Sequence, residues 1–482
     1  MSKHLPFHSI HDPPSTFHHT LNTATLTRFN PWQFIQRHIV ALLEMFNGLA
    51  YVLFLLINAT LFLRPAEIVP AYQGLPIYEG LVAGAGVGAL NRMLRRLTWD
   101  SMIRQPVTLC VIGLLLAAIL SHLSHFAFWG LKETIPDFVK VIVYYLLLVS
   151  LIDTPQRFRG LLYTVCFCGT AMVALCAADY AGWHDFEFIT HVVDRDAITD
   201  DGEILLVLRM RGTGLFQDPN DISLVIAIMS VLCCYFMMNP KSSPLRFGWL
   251  LPLAVLAVAL YFTKSRGGLL AVGAGGLTFL ANRYGRNVAI VCGLCGVLAV
   301  PVLAGRQGNI NLEEGTGQDR IQIWRDGLEE AKGASTLFGI GHGTYSDAVG
   351  YVAHNSFVHA FVELGLFGGT LFWGCFAFTA LALYRLSQVR SDNIDLEFAR
   401  FRPFLAAIQA GWCVGLFSLS RCYVVPTCLI MGLGAAYVSI MNSQLSPPRL
   451  LIVWDRYHAQ LLAVSSAGVF VMLNVFVKLF AK

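Results

Sequence analysis

Residues 320–369 read RIQIWRDGLEEAKGASTLFGIGHGTYSDAVGYVAHNSFVHAFVELGLFGG. The stretch opens as an amphipathic helix, with Ile321, Trp324 and Leu328 on one side and Asp326, Glu329 and Glu330 between and beyond them. A glycine-rich turn follows, GIGHG at 339–343. His354, Asn355 and Ser356 then stand immediately before a long apolar run. Polar residues on the lip of a long apolar helix mark a membrane protein whose chemistry sits where lipid meets water.

The composition agrees. Of 482 residues, 56% are hydrophobic and only 13% charged, against about 25% charged in ordinary soluble domains. The mean hydropathy is +0.60. Long apolar runs recur at about 39–63, 75–91, 105–123, 138–152, 160–180, 219–238, 247–263, 267–281, 287–304, 356–384, 403–420, 424–441 and 458–480. The expected fold is therefore an all-α polytopic membrane protein with 12–13 transmembrane helices. The first run begins too far along the chain for a cleaved signal peptide and is expected to remain as the first span. A net charge of +4 with no basic stripe argues against nucleic-acid binding.

Basic residues orient the spans. With the N-terminus inside, the short inner loops hold Arg92, Arg95, Arg96 and Arg104; Arg157 and Arg159; Lys241 and Arg246; Arg283 and Arg286; Arg385, Arg390, Arg400 and Arg402; Arg449 and Arg456. The loops at about 181–218 and 305–355 then lie outside, the first rich in acids from Asp185 to Glu203. Residues 1–38, with His4, His8, His11, His18 and His19, read as a disordered inner tail, and residues 39–480 as one transmembrane domain.

Against the acidic outer trend stand Arg211, Arg266 and Arg320. Each could be an interfacial anchor or the partner of a nearby acid. Three on one side, flanked by glycines that let backbone approach, point instead to an anion site. His354 reads either as part of a helix cap or as a proton acceptor at the outer lip. Glu363 shares a helix face with His359 and suits a supporting role. Of twelve cysteines, Cys292 and Cys295 form a CxxC, but in so apolar a setting that buried thiols are expected rather than a metal or redox centre. Gly273, Gly275 and Gly276 are expected at close helix contacts. The GIGHG turn lacks the GK[ST] of a phosphate-binding loop.

Four motifs in order, RGTGLFQDPND, KSRGG, DRIQIWRDGLEEA followed by LFGIGHGTY, and HNSFVHAFVELGLFGG, resemble the O-antigen ligase and polymerase superfamily over about residues 140–440. The resemblance implies a fold related to other polytopic glycosyltransferases with lipid-linked donors, in the bacterial inner membrane, with a periplasm-facing site. It implies transfer of a glycan from undecaprenyl diphosphate to an acceptor sugar hydroxyl, as on lipid A core, with no cofactor and no metal. By the same resemblance Arg211, Arg266 and Arg320 match the arginines that hold the diphosphate, and His354 the histidine near the acceptor. Arg209, Asn220, Trp324, His342, Asn355 and Glu363 are expected around the substrates. A polysaccharide polymerase and a protein O-oligosaccharyltransferase fit the same motifs. A transporter or flippase for lipid-linked glycans fits less well, because its charges should lie near the midplane of several helices and here they gather at one face.

Overall fold

The computed structural model describes residues 31–198, 204–239, 244–303, 316–389, 395–445 and 449–481. The N-terminal histidines, Asp200, Asp201, Glu203, Lys241, Arg390 and residues 304–315 of the second long loop lie outside them. Residues 1–45 form one unit, described from Pro31 on as the start of the first helix, and Phe46–Lys482 form the other.

All thirteen apolar runs are helical. The chain runs through α1 (Pro31–Leu63), α2 (Ile77–Arg96), α3 (Pro106–Leu123), α4 (Phe128–Leu151) and α5 (Pro155–Tyr180). A hairpin follows, β1 (Val192–Ile198) and β2 (Ile204–Arg209), then α6 (Pro219–Met237), α7 (Leu250–Thr263), α8 (Arg266–Tyr284) and α9 (Arg286–Leu303). The last third is α10 (Thr316–Glu330), α11 (Ser356–Glu363), α12 (Gly365–Gln388), α13 (Arg402–Gly415), α14 (Val425–Gln444) and α15 (Arg456–Phe480). Among the described residues nine helices are long and apolar enough to cross a membrane: α1 from Glu44, α3, α4, α5, α6, α7 with the turn before it, α12, α14 and α15. The protein is an all-α polytopic membrane protein. The other expected spans, α2, α8, α9 and α13, are shorter or carry more charge.

Local chemistry starts these helices where it should. Proline stands within the first two positions of α3, α5, α6, α13 and α14, where its missing N–H costs nothing. Thr154, Asp218, Ser265, Asn355 and Asp455 cap α5, α6, α8, α11 and α15 with their side-chain oxygens. The central helices are α14 and α6, with 83% and 72% of their spans buried, while α7 and α15, at 11% and 22%, form the rim that apolar side chains leave to lipid. Helix α8 packs on α13, α12 on α3, and α14 on α4.

Three readings are corrected. The run 356–384 is not one helix: it breaks between α11 and α12, because Gly365 takes φ +65°, which no continuing helix allows. Of the three glycines in α8 only Gly275 lies at a close contact, its missing Cβ 3.2 Å from the Ala407 carbonyl; Gly273 and Gly276 face open space. Cys292 and Cys295 are exposed on α9, not buried, since that apolar helix presents most of its surface outward. The first long loop also holds a feature the sequence reading left out, the antiparallel hairpin pairing Val192 with Arg209 and Asp194 with Val207. Its second strand, ILLVLR, is rich in strand-forming residues.

Candidate active site

The hairpin returns the chain to the bundle at Arg209. Its guanidinium donates to Asp194 Oδ2 (2.8 Å), to the Thr263 carbonyl (3.1 Å) and to Asn220 Oδ1 (3.5 Å). Asn220 Oδ1 also accepts from Ser265 Oγ (2.6 Å), the hydroxyl that caps α8 through Gly268 N (3.0 Å). The end of the hairpin and the first turns of α6 and α8 are thus tied into one knot, and Arg266 opens α8 beside it. Gly268 is required there: a Cβ would lie 2.3 Å from Ser223 Cβ of α6. Arg320, on α10, brings its guanidinium among Asp218, Arg209, Asp194 and Arg266. Burial, then the two arginines, lower its proton affinity, and the two aspartates oppose this. Arg266 and Arg320 form no ion pair among the described residues.

Arg211 is placed differently. Its guanidinium is bonded to the carbonyl and hydroxyl of Thr190, near His191, at the base of the hairpin. Within this cluster Arg209 stands where the motif alone suggested Arg211.

His354 joins the same charges. Burial first, then Arg320 and Arg421, hold its imidazole below the usual histidine range, with Asp218 opposing. It does not cap α11. That task belongs to Asn355, whose side chain accepts from Phe357 N (3.0 Å) and Val358 N (3.2 Å). His354 precedes the cap in the left-handed region, φ 49°, a conformation that costs about 1–3 kcal/mol in a non-glycine residue and recurs at functional sites. Trp324 steadies the preceding residue, its indole donating to the Ala353 carbonyl (2.6 Å).

The glycine-rich turn serves the break between α11 and α12. Ile340 N bonds Val362 O (3.0 Å), Gly341 N bonds Glu363 O (3.1 Å), and Phe367 N bonds Leu337 O (3.0 Å). Gly339, at φ +80°, passes so close that a Cβ would stand 2.1 Å from the Glu363 carbonyl oxygen. The turn carries His342 to a cavity of about 630 Å³ that His359 and Glu363 also line. There the His342 ring bonds Thr134 (3.1 Å) and packs against Phe138 and Tyr423.

Residues 251–373 match the O-antigen ligase family model. The match bears out the resemblance for the motifs from KSRGG to HNSFVHAFVELGLFGG, RGTGLFQDPND lying outside it, and points to a membrane glycosyltransferase of the O-antigen ligase/polymerase type. A comparison with curated proteins gives no match. The matched segment contains Arg266, Arg320, His354 and Glu363, whereas Arg209, Asn220 and Arg421 reach the candidate site from outside it.

Sequence reasoning missed Arg421. Its guanidinium grips Asp221 at two oxygens, Nε to Oδ1 at 2.8 Å and Nη2 to Oδ2 at 2.5 Å. Its backbone N–H bonds Ser356 Oγ (2.9 Å), which in turn donates to the Leu419 carbonyl (2.6 Å). Arg421 therefore ties the start of α6 to the start of α11, next to His354. A signal existed: like Arg266, it is an arginine in a very short connection between two apolar runs, and Asp221 is an acid at the head of another.

Proposed function

We propose that the protein transfers a glycan from undecaprenyl diphosphate to an acceptor sugar hydroxyl at the periplasmic face of the bacterial inner membrane, as in lipopolysaccharide O-antigen ligation. The observation that carries this reading is the gathering of Arg266 and Arg320, neither ion-paired among the described residues, with Arg209 and His354. A sugar on a lipid diphosphate is already activated, so the work left is to stabilise the departing diphosphate and to hold the acceptor. Guanidinium groups match phosphate oxygens and stay charged, and they supply positive charge without a metal. In the reaction the bond from the anomeric carbon to the diphosphate oxygen breaks as the acceptor oxygen attacks from the opposite face. The configuration inverts, the diphosphate leaves with the bonding pair, and the hydroxyl proton passes to His354. An imidazole held neutral by burial and neighbouring arginines is ready to take that proton.

The test is transfer by purified protein from a lipid-diphosphate-linked glycan, with product analysis. Glycan on lipid A core is the expected product. Longer lipid-linked chains would make the protein a polymerase, and a glycosylated serine or threonine a protein glycosyltransferase. Movement of donor across a vesicle membrane with no new glycosidic bond would replace the reading with transport.

A further inference from the structure

The end of α3 holds the glycine-rich turn at several points. Ser121 Oγ accepts from His342 N (3.1 Å), and His125 Nε2 meets Ser335 Oγ (3.0 Å). Between them stands His122, 3% exposed, in a space that two glycines leave open. A Cβ on Gly130, in the first turn of α4, would lie 2.4 Å from the His122 Cε1, and one on Gly341 would lie 3.4 Å from its Nδ1. From α4 comes Thr134, which is buried too. Its hydroxyl lies 2.9 Å from His122 Nε2 and 3.1 Å from His342 Nδ1. One hydroxyl thus bridges two imidazoles.

The hydrogens fix the direction of that bridge. A hydroxyl has one proton to give, and a neutral imidazole has one N–H and one bare nitrogen. His122 Nδ1 faces the backbone of the glycine turn. The ring's hydrogen bond to the His342 backbone is of the kind that favours a ring proton, so it runs from Nδ1–H to a carbonyl. His122 Nε2 is then bare and takes the Thr134 proton, and the Thr134 oxygen accepts from His342 Nδ1–H. What remains is His342 Nε2, without a proton and without a hydrogen-bond partner among the described residues, on a ring that lines the 630 Å³ cavity. Burial holds the His342 ring below the usual histidine range, against Glu363 and Asp137 and with His359 and His122 adding to the effect. The ring is therefore uncharged near neutral pH, and which nitrogen carries its proton is left to the bridge.

We propose that His122 and Thr134 are positioning residues of the transfer site: they lock His342 in the Nδ1–H tautomer, so that Nε2 accepts a hydrogen bond from a hydroxyl of the glycan substrate. That His342 stands near a substrate is what the family resemblance implies; the tautomer, and the two residues that set it, follow from the bridge. The inference rests on the glycan-transfer reading. Imidazole ¹⁵N NMR of the histidine-labelled wild type tests it first, with His342 assigned by the signals that His342→Gln removes, since an N–H nitrogen and a bare one resonate far apart. Nδ1 should carry the proton at neutral pH, and a proton on Nε2 would overturn the inference with no variant of the bridge involved. Thr134→Val removes the bridge. It should release the second tautomer and raise the KM of one substrate about tenfold, the worth of one hydrogen bond. Thr134→Ser loses the methyl but keeps the hydroxyl, and should return both tautomer and KM to wild-type values, which a packing role alone would not do. KM values unmoved in Thr134→Val, with Arg320→Ala inactive, would overturn the positioning role and leave glycan transfer standing. Full activity in both Arg320→Ala and His354→Ala would sink the transfer chemistry instead, and the positioning role with it, while the spectrum would still decide the tautomer.

Discussion

The two ends of α5 use arginine in different ways. At its start, Arg92 and Arg157 share Asp153 (2.5 and 3.1 Å) and Arg159 meets Glu397 (2.6 Å). The helix then runs 26 residues, about 39 Å, to Tyr180, whose hydroxyl bonds the Leu208 carbonyl beside Arg209. At this far end Arg209 is paired, but Arg266 and Arg320 are left without ion pairs among the described residues. Arginines that only anchor a membrane protein can be neutralised by the nearest acid. Arginines meant for an anionic substrate must be held in place by other means and kept available. The knot of Asn220, Ser265 and Asp218 holds Arg209 and the start of α8, which Arg266 opens.

The largest expected effect would break that contrast at its chemical centre. His354→Ala should lower turnover by about 10²–10⁴-fold while donor binding persists. Equal turnover in the variant, measured with saturating donor, would return His354 to a structural role. Next come Arg266→Ala and Arg320→Ala, each expected to cost about 10²–10³-fold and to weaken donor binding, with lysine a poor substitute at a bidentate site. Arg159→Ala, at the other end, should leave transfer nearly intact. If the lysine variants at 266 and 320 work as well as the wild type, the two ends do not differ in the way described.

Arg421→Gln separates holding from binding. It removes the clasp on Asp221 and should lower the melting temperature, since a buried carboxylate loses its partner, by less than for a fully buried pair because Arg421 is 39% exposed and water screens it. It should also raise the pKa of His354, because Arg421 is one of the positive charges that depress it. In the wild type the His354 ring should titrate below about 6.5, so kcat/KM should begin to fall only at pH below that value. NMR of the labelled imidazole in both proteins checks the direction; a downward or absent shift in Arg421→Gln would contradict the proximity. The smallest effect is expected at Arg211→Ala, about tenfold or less, because Thr190 already occupies that guanidinium. A loss as deep as that of Arg320→Ala, read in the same assay, would put Arg211 back in the anion site.

What the amino-acid sequence by itself determined was the class, the helices and the resemblance carried by residues 251–373. Apolar runs of membrane length, with proline and capping residues at their heads, specify helices locally, and all thirteen formed. The motifs from KSRGG to HNSFVHAFVELGLFGG lie in the segment that matches the O-antigen ligases. Arg266, Arg320 and His354 were visible because a charge beside an apolar run is costly and so stands out. Tertiary structure decided the rest. Which of Arg209 and Arg211 faces the cluster depends on the hairpin's register, and that is set by pairing across the loop rather than by any residue in it. Arg421 meets Asp221 across two hundred residues, a contact that exists only once α6 and the 420–425 connection pack side by side. The burial of Glu363 likewise appears only where the glycine turn and α11 meet, because burial is a property of the assembled core and not of any local stretch.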